Sequence, residues 1–130
     1  MSSFFGLTNP AYPVFGGPYR SQTCRVVGAA TGRTLVKAVT GGAFQVPAVS
    51  TCGAGEKPYG LLDGDAVDGE SRRVVFDGDW EITAGAAVTA GQPVQSDAQG
   101  RVVPATTGVV VGVAAAAAAT GEPVHVKATF

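Results

Sequence analysis

The sequence predicts an all-β protein, a small β-barrel or sandwich with an extended N-terminal arm. Three observations lead there. From residue 21 onward, short runs rich in Val, Thr and Ala alternate with glycine-centred punctuation. Those runs recur about every 8–12 residues, the spacing of all-β sandwiches and barrels. The first twenty residues follow neither a helical nor a strand period, yet they hold five of the ten aromatic residues in the chain.

That arm, residues 1–20, carries Phe4, Phe5, Tyr12, Phe15 and Tyr19 among Pro10, Pro13, Pro18, Gly6, Gly16 and Gly17. Proline removes backbone donors and fixes φ, so no helix forms here. The segment is too apolar for a solvated tail, and Arg20 is its one charge. Rings so arranged need another surface to lie on. The five aromatics are therefore the candidate partner-binding residues, and residues 21–130 the β-domain.

Thr23 to Ala30 reads as the first strand, with Thr31-Gly32 as its turn. Thr34 to Thr40 and Ala43 to Val49 follow, separated by Gly41-Gly42. Lys57 to Leu62 reads as a short strand and Arg72 to Thr83 as a strong strand region, interrupted at Asp77-Gly78-Asp79 by a hairpin or bulge. Gln92 to Ser96 and Arg101 to Val103 form a hairpin in which Asp97 opens the turn and Gly100 supplies positive φ. Val109, Val111 and Val113 mark another strand. In the last strand Val124, Val126, Ala128 and Phe130 share one face, and His125, Lys127 and Thr129 the other. The run Ala114 to Ala119 is too short for an independent helix. It reads as a strand end and a close-packed connection, in the core rather than across a subunit contact. TAGAAVTAGQPV and TGVVVGVAAAAAATGEPV share only a Gly-x-Pro-Val flavour, too little to call a repeat.

Composition narrows the function. The 130 residues fit one domain, with net charge −1 and 15% charged residues against about 25% in typical proteins. A surface so poor in charge is expected to lie against partners. Basic residues are dispersed, which argues against nucleic acid. No apolar run approaches the roughly 20 residues of a membrane helix, and the N-terminus lacks the pattern of a secretory signal. Cys24 and Cys52 read most simply as free thiols of a reducing compartment. Spacing alone does not bring the two sulfurs within bonding reach, so a pairing stays open.

Catalytic motifs are lacking. The sequence has no G-x-S-x-G and no H-E-x-x-H. The single histidine, His125, falls on the outer face of the last strand, with nothing to mark a nucleophile beside it. Gly53-Ala54-Gly55 is followed by Pro58 rather than by the glycine of a dinucleotide fingerprint. VTAGQPVQSDAQGRV is similar to the hairpin of biotinyl or lipoyl carriers, but Asp97-Ala98-Gln99-Gly100 offers no lysine to modify. Asp63, Asp65, Asp68 and Glu70 supply hard oxygen ligands of the kind calcium favours. A solvated loop whose charges are offset by Arg72 and Arg73 is the favoured reading, because an unorganised acidic cluster is usually a solvated face. The chain is expected to be non-enzymatic and to need no cofactor. A self-standing surface or carbohydrate-binding module, using Tyr59, Trp80 or the acidic loop, is the alternative.

The order of motifs over residues 82–130 resembles the capsid decoration (cement) proteins of tailed bacteriophages. Asp97, Gly100 and Arg101 match the hairpin turn, and Val111, Gly112, Val113 and Ala114 the following strand. Gly121, Glu122, Val124 and Val126 match the last turn and strand. The resemblance implies a structural virion protein, assembled in the host cytoplasm and placed on the capsid exterior. It implies the major capsid protein as partner, a homotrimeric state, and a role in head stabilisation.

Overall fold

The computed structural model describes residues 20–43 and 46–130, and among these there is no helix. Ten strands run in order: β1 (Ser21–Val26), β2 (Leu35–Ala43), β3 (Val46–Thr51), β4 (Gly60–Leu62) and β5 (Ser71–Val75), then β6 (Gly78–Thr83), β7 (Pro93–Ser96), β8 (Val102–Pro104), β9 (Gly112–Ala114) and β10 (Pro123–Ala128). The expected all-β class holds, and the choice between barrel and sandwich falls to the barrel. Strands β1-β3-β2-β4-β5 close on themselves, and β6-β10-β9-β7-β8 form a second sheet.

The second sheet curls until its edges meet. Ala84, just past β6, bridges Val102 of β8 in parallel, and the Gly85 amide donates to the Val102 carbonyl at 2.8 Å. Closing a sheet removes exposed edges that would otherwise pair with other chains.

The two halves are one motif used twice. In the first, β1 pairs antiparallel with β5 and parallel with β3, β2 forms a hairpin with β3, and β4 joins β2 to β5. In the second, β6 pairs with β10, β7 with β8, and β9 joins β7 to β10, with Ala84–Val102 as the parallel contact. Even the loop bridges agree, Ala30 with Ala66 and Val88 with Ala118. Val36 opposite Gly60 is repeated as Val94 opposite Gly112, so the register is kept. The repeat that the sequence hides is therefore explicit in the pairing.

Alternation explains the cores. Cys24, Val26, Val36, Val49, Leu62 and Val74 fill the first barrel. Ile82, Val94, Val102, Ala114, Val124 and Val126 fill the second half, joined by Leu35, Leu61 and Val75 from the outer wall of the first barrel. One strand thus faces two cores: Val74 points inward and Val75 points across to its neighbour.

Several expected elements shift. The first strand stops at Val26 rather than Ala30, and β2 continues through Gly41-Gly42 with a register shift between Val39 and Ala43. Asp77-Gly78-Asp79 makes neither a hairpin nor a bulge. It is where the chain passes from the barrel to the second sheet, since β5 and β6 do not pair. Only Ala114 of the alanine run is fully buried. Ala115, Ala116, Ala117 and Ala119 are exposed, and Ala118 packs partly against the core. The connection is held by backbone bonds rather than by burial, because Ala118 and Val88 exchange both of theirs.

Candidate functional site

The candidate partner-binding residues Phe4, Phe5, Tyr12, Phe15 and Tyr19 lie outside the described residues. Arg20, the first described residue, is exposed. Its carbonyl accepts from the Phe76 amide at 3.1 Å, which ties the start of β1 to the joint between the two halves. The same joint holds the far end of the chain, where the Phe130 amide donates to Asp77 Oδ1 at 2.8 Å. Trp80 braces it from within, its Nε1 donating to the Phe76 carbonyl at 2.6 Å.

Trp80 is only 1% exposed, so it offers no ring face to a ligand. Tyr59 is half-buried, set edge-to-face against Phe76 at 5.6 Å, and its hydroxyl donates to Gln22. Burial raises the Tyr59 pKa. Neither ring forms the flat open platform on which a sugar stacks, because both serve packing.

The acidic loop is committed to holding the first barrel. Asp65 Oδ1 accepts from the Gly32 amide and Asp68 Oδ1 from the Gly28 amide, each at 2.8 Å. Glu70 accepts from Val67 and pairs with Arg72, while Asp63 pairs with Arg73. These carboxylates thus fasten the β4–β5 loop to the β1–β2 loop and to β5. Among the described residues no cluster of three His, Cys, Asp or Glu side chains converges on a metal position.

His125 is partly buried, and its Nε2 lies 3.1 Å from Asp79 Oδ1 across β10 and β6. Both cysteines are buried free thiols, Cys24 within the first barrel and Cys52 at the contact between halves. Burial pushes Cys24 up to about 11. It also raises Cys52, against the opposing hydrogen bond from Ser96. Beside Cys52, Lys37 and Glu56 pair at 2.9 Å. Their hydrogen bond raises the lysine and, with the Gly53 amide, lowers the glutamate.

Two surface features escaped the sequence reading. The β2–β3 hairpin extends beyond the tight β7–β8 turn that repeats it, with Thr40, Gly41, Gly42 and Ala43 exposed. Arg25 Nη1 props it by donating to the Gly41 carbonyl at 3.2 Å. Val109, Val110 and Val113 also stand exposed on one stretch of the second half. Alternation had marked Val109 and Val113 as a strand face, but it cannot tell a face that meets a core from one that does not.

Two like β-halves, each closed on itself, define a duplicated all-β module. A family model described as phage cement protein matches residues 31–128. The chain belongs to that family, and with it to the structural proteins of the phage capsid and the components of the virion. No curated protein matches the chain. The crystal structure of the head fiber gp8.5 N base of bacteriophage phi29 shares the fold. It has a TM-score of 0.74 and 20% identity, over 86% of this chain and 95% of that one.

Proposed function

We propose that the protein is a non-enzymatic decoration protein that binds the outside of a phage head and ties neighbouring major capsid subunits together. The observation that carries this reading is the family match over residues 31–128. In this reading residues 1–20 supply contacts to the shell or to an adjacent copy, through Phe4, Phe5, Tyr12, Phe15 and Tyr19. Each ring presents about 150–250 Å², and burial is worth about 25 cal/mol per Å². Ordering the arm and losing translational freedom offset much of that gain. Three such arms on a homotrimer act by avidity rather than through one tight contact.

Deleting residues 2–20 tests the mechanism. The truncated protein is expected to keep its β-sheet circular dichroism and cooperative melting while its attachment to empty capsids drops at least tenfold. A truncated protein that attaches normally removes the arm from the mechanism.

A further inference from the structure

Among the described residues, the second half carries an apolar wall that stands open. In β9, Gly112 and Ala114 are buried, so Val113 between them points outward. The registers set Pro93 of β7 on one side of Val113 and Lys127 of β10 on the other. Both are exposed beside buried neighbours, so both point outward as well. The Ala115 amide donates to the His125 carbonyl at 2.8 Å, which carries the ladder on and sets exposed Ala115 two places along the same face. Val113 is 42% exposed, and Val110, on the loop leading into β9, is 48% exposed.

Charge is spread unevenly around this wall. Residues 82–96 and 102–121 contain none. At the β7–β8 turn Asp97 and Arg101 hold each other at 3.1 Å, and the Glu122 carboxylate accepts from the Ala119 amide. Lys127 is the one charge in the row, and the register sets Asp79 opposite it. The first half instead carries Lys37 with Glu56, Asp63 with Arg73 and Glu70 with Arg72 on its surface. A charged partner laid on the wall would lose its hydration and find almost nothing to pair with. An uncharged apolar partner loses no such hydration, and its burial is favourable. The wall therefore selects its partner by lack of charge.

We infer that the wall of Pro93, Val110, Val113 and Ala115 is the face by which the body docks on an uncharged, apolar surface of the major capsid protein. The inference rests on the decoration reading above and adds a contact of the body to those of the arm. Because that contact lacks ion pairs, salt does not weaken it.

The test titrates the full chain, arm included, onto empty capsids. Val110→Glu and Val113→Glu are each expected to weaken attachment by about tenfold, since each buries an unpaired carboxylate in the contact. Their circular dichroism is expected to be unchanged. Val67→Glu, at a position 66% exposed on the first half, is expected to attach like the native chain. Raising salt from about 0.05 M to about 0.5 M is expected to leave native attachment unaltered. A native chain that fails to bind capsids overturns the decoration reading and this inference together. A native chain that binds while Val110→Glu and Val113→Glu bind equally well overturns the inference alone. So does a loss for Val67→Glu as large as theirs, or native attachment that falls with salt. A Val113→Glu variant whose own sedimentation changes from that of the native protein gives the wall to a neighbouring copy, which also overturns it.

Discussion

Glu70 and Glu122 do the same work in the two halves. Each side chain accepts from the amide three residues earlier, Val67 at 3.0 Å and Ala119 at 2.9 Å. Each backbone carbonyl accepts at 2.8 Å from an amide at the close of the first strand of its half, that of Val26 in β1 or of Ala84 just past β6. Glu122→Ala frees one turn amide to water and is expected to cost about 1 kcal/mol. Glu70→Ala also loses its ion pair with Arg72, which at such exposure adds only a few tenths. The two turns share no partner, so the double variant is expected to lose the sum. Urea titrations of the three variants check this.

Glycine substitutions separate strain from collision. Gly121 has φ +85° and open space where a Cβ would stand. Gly121→Ala is therefore expected to cost about 1–2 kcal/mol from backbone conformation alone. Gly108 has no such φ, but its Cβ would stand 2.3 Å from the Gly55 Cα, where the β8–β9 and β3–β4 loops cross between halves. Gly108→Ala is expected to cost about 1–3 kcal/mol. It alone should speed hydrogen exchange at the Val109 amide, which donates to the Gly55 carbonyl. Equal exchange in both variants would contradict this.

Alkaline pH should unfold the protein through its thiols. Cys24 is raised from 9.0 to about 11 by burial, so the folded state keeps a proton that the unfolded chain releases first. That contribution is fully present below pH 9 and is lost as pH rises through 11. At about 1.4 kcal/mol per unit it amounts to roughly 3 kcal/mol. Melting temperatures from pH 8 to 11 are expected to fall for the native protein and to fall less steeply for Cys24→Ala, with the raised Cys52 and Tyr59 contributing to the remaining slope.

The sequence carried the strand pattern well where one face is buried and the other wet. The hairpin of β7 and β8 and the alternation of β10 appeared at nearly their observed positions because the period of two is uninterrupted there. The duplication was not legible. It resides in backbone pairing, which Val36 and Val94 satisfy alike, whereas Arg33 and Gly91 fill one positive-φ position with unrelated side chains. Leu35, Leu61 and Val75 read as ordinary strand residues, because spacing does not show that they cross into the second core. The roles of Asp65 and Asp68 were open in sequence because their amide partners, Gly32 and Gly28, lie more than thirty residues away.

The joint at Phe76 and Asp77 gathers both ends of the body, Arg20 through its carbonyl and Phe130 through its amide. The first strand and the last residue are thus fixed to one short crossing segment, so loosening residues 76–77 is expected to release both termini of the described body together.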